Sequence, residues 1–490
     1  MNKRMIAYIL GILLLCEAGL LLLPTVVSLI YGEAVITSFL ATIALLAATG
    51  LVLIAMKPKD KTIYARHGLV IVSLGWILMS LFGALPFYFS GEIPSYLDAV
   101  FEAVSGFTTT GSSILTDVEA LSKSMLFWRS FTHWIGGMGV LVFMMAVLPL
   151  AGGGGDLHLM KAESPGPNVS KLVPKSSKTA RILYGIYLAL TVLEILILLF
   201  GGMPLFDSVT ITFGTAGTGG FGVLNSSIAE YSTFCQGVIT VFMVLFGINF
   251  NFYFLILCKK FKDAFKSEEV WTYLAIMISA IVVIAINTKD MFTSFSEALH
   301  HSAFQVSSVM TTTGFATTDF NQWPELSRII MLAVMCVGAC AGSTGGGLKV
   351  SRVIILLKSA RREFRRISHP RSVKIITFDG NRVSDDTIRN TFAYFFIYAM
   401  IFASSVLVVS LDNFDFTTTT TSVIATLNNI GPGLNMVGAT GNYSEFSFLS
   451  KLVLIADMLL GRLEIFPLLF LFAPSKQKVK IFSRIRSKLM

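Results

Sequence analysis

Charge is what this sequence has least of. Only 14% of its 490 residues are Asp, Glu, Lys or Arg, against about 25% in an average soluble domain. Polar linkers are missing too, although a soluble chain of this length divides into two or three domains joined by them. Paired cysteines are absent. Cys16, Cys235, Cys258, Cys336 and Cys340 lie in or beside apolar runs, with no CxxC and no Cys/His cluster, which reads as packing rather than disulfides or metal ligands. There is no HExxH or GxSxG, and the six histidines are dispersed apart from His300-His301. A membrane-embedded enzyme would therefore lack a catalytic constellation. These gaps exclude a soluble globular enzyme, a disordered protein and a secreted disulfide scaffold.

What is present is apolar length. Hydrophobic residues make up 54% of the chain, in ten segments near 5–30, 34–56, 67–90, 128–150, 181–202, 233–258, 270–287, 325–357, 391–411 and 448–473. About 20 residues cross the hydrocarbon, so the expectation is an all-α polytopic membrane protein with about ten spans. The first segment has the position of a signal peptide. It is too long for one, contains Glu17 and lacks a small-x-small cleavage site.

The bases are distributed unevenly. With a cytoplasmic N-terminus, 31 of the 38 Lys and Arg fall in inside segments. Five fall outside (Lys123, Arg129, Lys289, Arg328 and Lys451), and Lys349 and Arg462 lie within apolar runs. This asymmetry places both termini in the cytoplasm. Acids lean the other way, 15 of them outside, so the outer face is net negative and concentrates cations. A net charge of +9 is accounted for by this bias, with no nucleic acid partner implied.

Four outside connections each hold a shorter apolar stretch, at 94–107, 204–217, 294–312 and 416–429. Fourteen helical residues reach about 21 Å, which suits re-entrant half-helices lining a protein-enclosed path. Asp98, Asp207 and Glu297 near their starts suit the helix dipole or ordinary capping equally. After each comes a glycine loop: Thr108-Thr109-Thr110-Gly111-Ser112, Gly217-Thr218-Gly219-Gly220-Phe221, Thr311-Thr312-Thr313-Gly314-Phe315 and Asn428-Asn429-Ile430-Gly431-Pro432-Gly433. Registered on their glycines, they define one unit repeated four times, at 67–150, 181–258, 270–357 and 391–473, after an N-terminal pair at 1–60 and before a basic tail at 474–490. Four loops of backbone carbonyls can replace the water of a dehydrated monovalent cation. The residues expected to do so are Thr109, Thr110 and Gly111; Thr218, Gly219 and Gly220; Thr312, Thr313 and Gly314; and Asn429, Ile430 and Gly431.

These loops, together with His133-Trp134-Ile135-Gly136-Gly137-Met138-Gly139, resemble the Trk/Ktr superfamily of potassium uptake proteins. The similarity covers all four repeats, and the extra pair at 5–56 resembles the TrkH type within it. The resemblance implies a K⁺ filter of carbonyls. In that family a glycine in the first loop accompanies potassium selectivity and a serine accompanies sodium permeability, so Gly111 implies potassium. It also implies a TrkA-like cytosolic nucleotide-binding regulatory subunit, a homodimer and a bacterial inner-membrane location. No nucleotide motif and no cofactor site is found in this chain. A sodium-coupled or sodium-permeable transporter of the same build is the alternative, and whether transport is passive or coupled stays open. One shared glycine per repeat predicts a short carbonyl stack, with K⁺ and Rb⁺ favoured over Na⁺ to a modest degree.

The run Gly338 to Lys349, with Gly345-Gly346-Gly347 at its heart, is too glycine-rich for an undistorted helix, because each glycine costs about 1 kcal/mol relative to alanine. It reads as a mobile loop beneath the filter, the element the resembling family uses as its gate; a packing kink is the alternative. Arg462 lies mid-way along the last apolar run. An arginine there costs about 2.5 kcal/mol or more at the bilayer centre, so it should face protein or water. It is expected beneath the filter, repelling or regulating cations, or else in an ion pair with Glu464 or Asp457. Lys349 either shares the role or snorkels to the inner surface. His133 is expected to pack behind the first loop rather than carry protons. Glu17 and Glu194 either carry protons or sit in satisfied pairs. The basic connections 151–180 and 358–390 would meet anionic lipid or an acidic cytosolic partner.

Overall fold

The computed structural model describes residues 2–58, 65–139, 177–370 and 375–471. The expected tail at 474–490, the latter half of the 128–150 segment and nearly all of the 151–180 connection lie outside them.

The N-terminal pair is α1 (Lys3–Leu20) with its continuation α2 (Leu22–Tyr31), then α3 (Ile36–Ala55). Gly11 and Gly50 face each other across α1 and α3. A Cβ on Gly11 would stand 2.7 Å from the Gly50 carbonyl oxygen. Only the absence of side chains lets these backbones touch, the usual means of close helix packing in a bilayer. α1 also packs on α4 (Ala65–Gly83).

Each repeat then follows one pattern. Repeat 1 continues α4 with α5 (Leu85–Ser90), half-helix α6 (Tyr96–Phe107) and α7 (Lys123–Gly137). Repeat 2 is α8 (Ser177–Phe200), half-helix α9 (Leu205–Gly217), α10 (Thr233–Gly247) and α11 (Phe250–Leu257). After the short α12 (Phe261–Ala264), repeat 3 is α13 (Glu268–Thr288), half-helix α14 (Phe295–Met310), α15 (Glu325–Val337) and α16 (Val350–Ser368). Repeat 4 is α17 (Asp385–Val409), half-helix α18 (Phe416–Leu427), α19 (Phe448–Arg462) and α20 (Phe466–Leu471).

The half-helices are 12 to 16 residues long, or about 18 to 24 Å at 1.5 Å per residue, too short for a hydrocarbon core of about 30 Å. Their starts are written in the sequence. Ser95, Ser294 and Asp415 accept hydrogen bonds from the backbone N–H three residues on, at 3.4, 3.2 and 2.9 Å, which satisfies one orphan donor of each helix. Asp415 also accepts from the Asn435 side chain at 2.8 Å. Slight burial pushes the Asp415 carboxyl up, but the hydrogen bonds from Thr418 and Asn435 outweigh it and hold the group below its ordinary value. Its contribution is thus full above the unfolded carboxylate pKa of about 3.9 and is lost as pH falls through the lower folded value. Asp415→Ala is expected to cost about 1 kcal/mol, read as a lowered Tm at pH 7 that converges on wild type in acid.

Not all of the ten expected spans are continuous helices among the described residues. Among the described residues six helices are long and apolar enough to cross a membrane, or seven with one bent pair. The reason is shared by the repeats. Their second helices run only 15, 15, 13 and 15 residues before breaking. α10 turns into α11 through 87°, α15 stops at Gly338 (φ +73°), and α19 ends before Glu464 and Ile465, both at positive φ. Glycines cluster at the break in repeat 3, and Gly136, Gly137 and Gly139 stand at the end of α7.

One element departs from an all-helical expectation. β1 (Thr377–Phe378) and β2 (Asn381–Arg382) pair antiparallel across Asp379-Gly380, both at positive φ, the geometry for which an Asp-Gly hairpin turn is suited.

Candidate functional site

The four half-helices end alike. Thr110, Gly219, Thr313 and Ile430 each donate their N–H to the carbonyl five residues back, all at 2.8 Å. Thr109, Thr218, Thr312 and Asn429 each donate to the carbonyl three residues back, at 3.0 to 3.1 Å. This is a Schellman ending, which places the residue after the cap in the left-handed region. Glycine is the usual occupant. Here the φ values are +55° (Thr109), +56° (Thr218), +60° (Thr312) and +55° (Asn429). A β-branched residue is a true outlier there, and such strain gathers at functional sites. Two residues later Gly111, Gly220, Gly314 and Gly431 are also at positive φ, from +78° to +98°.

The glycines close a ring. A Cβ on Gly111 would press on the carbonyl oxygen of Gly219. One on Gly220 would press on that of Thr313, one on Gly314 on that of Ile430, and one on Gly431 on that of Thr110. All four approaches lie inside 3.0 Å. Each repeat thus leans, through a missing side chain, on the carbonyl just before the next repeat's glycine. The order runs 1, 2, 3, 4 and back to 1.

The expected filter residues are therefore brought together as a set, and all but Gly111, Gly220 and Gly314 are buried. Of their twelve carbonyls, only that of Gly431 accepts a hydrogen bond from the described residues, from Ser112 and Tyr443 at 3.2 and 2.9 Å. Buried backbone oxygens without donors are costly, and a ring of them suits a desolvated cation. Behind the loops of repeats 1 and 3, matching hydroxyl pairs (Thr108–Thr110, 2.8 Å; Thr311–Thr313, 2.7 Å) hold the backbone. On one side of the ring lies a half-open cavity of about 120 Å³ that all four ring glycines line.

The other side is filled by the glycine-rich loop. Gly346 donates its N–H to Thr312 Oγ1 at 2.7 Å. A Cβ on Gly345 would stand 2.9 Å from Thr311 O, and one on Gly346 would stand 2.6 Å from Asn428 O. Gly345, Gly346 and Gly347 are buried. The loop is held at its ends by Glu269, which the sequence reading passed over. Glu269 Oε1 accepts from Ala341 N at 2.7 Å and Ser351 N at 3.1 Å. In sequence it looks like a routine acid in the first turn of α13, and only folding carries the loop to it.

Arg462 reaches the same place from α19. Its guanidinium donates to Thr344 O at 2.7 Å, to Gly137 O at 2.9 Å and to Gly136 O. It thereby links the glycine-rich loop to the end of α7. Glu464 pairs with Arg352 of α16 at 2.6 Å, and Asp457 accepts from Ser405 at 2.8 Å. Lys349 is buried at φ +72° and donates to Gly345 O, so it folds back onto the loop rather than snorkelling.

His133 is buried, packed against the second loop as well as against the first repeat's half-helix. Its ring stacks on Phe221 at 4.1 Å, and a Cβ on Gly219 would run into the imidazole. Glu17 and Glu194 are fully buried, and neither is in an ion pair among the described residues.

The chain matches known proteins along nearly its whole length. It is 36% identical over 483 residues to the Trk system potassium uptake protein TrkH of Salmonella typhimurium, covering 97% of this chain and 99% of that one. It is 33% identical to TrkG of Escherichia coli, over 96% of this chain and 98% of the relative. The crystal structure of the potassium transporter TrkH from Vibrio parahaemolyticus superposes with a TM-score of 0.87 at 31% identity, covering 97% of this chain and 99% of that one. The model of the TrkH family, described as cation transport protein, matches residues 35–481. With its apolar helices and this match along the chain, the protein is an integral membrane protein that belongs to the TrkH family.

Proposed function

We propose that this chain takes up potassium through the ring of carbonyls, gated by the glycine-rich loop. The observation that carries the reading is the closed ring, in which four left-handed glycines admit four neighbouring carbonyls while those oxygens accept no hydrogen bond from the described residues. The relatives named as potassium uptake proteins agree with the ion. The charge asymmetry of the sequence supports an N-terminus inside, with the cavity above the ring facing outward. The test is Rb⁺ uptake into liposomes holding the purified chain, with Na⁺ competing. Uptake that resists Na⁺ supports the reading, and equal competition rejects it in favour of a sodium-permeable transporter of the same build.

The loop docked beneath the ring is the gate in this reading, and Arg462 and Glu269 are its holds. Glu269→Ala removes both hydrogen bonds to the loop, each worth about 1.5–3 kcal/mol with a charged acceptor. Basal Rb⁺ flux is then expected to rise at least about tenfold. Glu269→Gln keeps an acceptor oxygen and should stay near wild type. Equal flux in the Ala variant and wild type would remove Glu269 from the gate.

A regulatory cytosolic subunit that binds nucleotide, and a homodimer, complete the proposal. The basic face of α16, with Arg361, Arg362, Arg365 and Arg366, suits an acidic partner or anionic lipid.

A further inference from the structure

The ring is braced from behind at one step by a buried ion pair. Arg129 Nε on α7 meets Glu102 Oε1 on half-helix α6 at 2.5 Å, with side chains 4% and 0% exposed. Each partner then reaches a different loop. Glu102 accepts from Ser113 Oγ at 3.0 Å and Ile114 N at 3.0 Å, just after the Gly111 loop. Arg129 donates to Gly222 O at 3.0 Å and lies 3.6 Å over the Phe221 ring, just after the Gly220 loop. Phe221 in turn stacks on His133. Arg129 also lines the cavity above the ring.

A buried ion pair stabilises a fold weakly, because desolvation offsets the attraction. Its geometry is nonetheless strict, since the planar guanidinium donates in fixed directions, from Nε to Glu102 and from Nη1 to Gly222 O. Charged pairs elsewhere lie away from the loops: Lys451 of α19 meets Asp98 in the first turn of α6 at 2.6 Å, and Arg352 meets Glu464 after α19. At the loops themselves the other steps are joined by neutral contacts: Ile228 N to Ala316 O at 3.0 Å between repeats 2 and 3, Asn435 N to Asn321 Oδ1 at 3.2 Å between 3 and 4, and Tyr443 N to Ser113 O at 2.8 Å between 4 and 1. The pair spans the step where Gly111 leans on Gly219.

We infer that the Arg129–Glu102 pair is a specificity-determining positioning element, which sets the separation of the first and second loops without touching the ion. This rests on the filter reading above. A second consequence is electrostatic. Glu102 neutralises a cation in the wall of the cavity through which ions reach the ring, so removing the carboxylate alone leaves a positive charge facing them.

The experiment compares full-length wild type, Arg129→Lys, Glu102→Gln, the double variant Glu102→Gln/Arg129→Met and Gly314→Ser in liposomes at matched amounts of folded protein. Arg129→Lys keeps the charge but loses the fork to Gly222, and the double variant keeps volume without orphaning a charge. In both, Na⁺ is expected to inhibit Rb⁺ uptake about tenfold more strongly. In Glu102→Gln the KM for Rb⁺ is expected to rise about tenfold. A folded Arg129→Lys or double variant with wild-type Na⁺ inhibition overturns the inference. Failure of both to fold assigns the pair to stability and overturns it as well. If Gly314→Ser alone alters Na⁺ inhibition, the brace fails and the filter stands; if Gly314→Ser changes nothing either, the filter reading has failed.

Discussion

Gly314→Ser is expected to lower discrimination between Rb⁺ and Na⁺ by about ten- to a hundredfold, with each tenfold worth about 1.4 kcal/mol. Two strains meet at this position. The φ of +89° places a non-glycine residue in the left-handed half of the map, at about 1–2 kcal/mol. The new Cβ would also press on the Ile430 carbonyl oxygen and lie 2.9 Å from Pro432 Cδ. Relief comes either by turning the Gly314 peptide, which redirects a carbonyl, or by pushing repeat 4 outward, which widens the ring. Either change loosens a cage whose selectivity depends on the number and placement of its oxygens. Rb⁺ uptake with graded Na⁺ reads the effect. Gly202→Ser is the control: φ there is +84°, but nothing lies within 4 Å of the added Cβ. It should cost stability and leave discrimination alone. Equal loss in both variants would assign the Gly314 effect to strain in general and not to the ring.

Arg462→Ala is expected to raise flux through the chain without its partner by about ten- to a hundredfold. The side chain donates to Thr344 O in the loop and to Gly136 O and Gly137 O at the end of α7. Hydrogen bonds from a charged donor are worth about 1.5–3 kcal/mol each. Losing them frees the loop from the far wall of the passage. The substitution also removes a positive charge from the ion's path, and Arg462→Lys separates the two causes. Lysine keeps the charge but cannot reproduce the planar fork. High flux in both variants makes the tether the cause; high flux in alanine alone makes it the charge. Wild-type flux in a normally folded alanine variant would remove Arg462 from the gate.

The sequence was most informative where chemistry is local. Ser95, Ser294 and Asp415 mark the half-helix starts because capping involves residues three apart. The four glycines could be registered because each loop follows its own half-helix at a fixed distance. The break at Gly338–Lys349 was legible because glycine weakens a helix by itself. The breaks after Gly247 and Arg462 were not, since Phe250–Leu257 and Phe466–Leu471 continue apolar in sequence and turn only through backbone geometry.

Composition and hydropathy therefore determined that the chain lives in a membrane, and the spacing of its glycine loops determined that it repeats four times. Both follow from transfer free energies and backbone sterics, which act within a few residues. Tertiary structure alone decided which carbonyl meets which glycine around the ring, and that His133 backs the second loop. It also decided that Glu102 and Arg129 pair within repeat 1 and that Arg129 reaches Gly222 of repeat 2, and that Glu269 and Arg462 both hold the loop. These contacts join residues 27 to 326 positions apart. A carboxylate or guanidinium carries no mark in sequence of the distant backbone group that will satisfy it; burial in a low-dielectric interior forces a partner to be found, and the packing of the repeats selects which one.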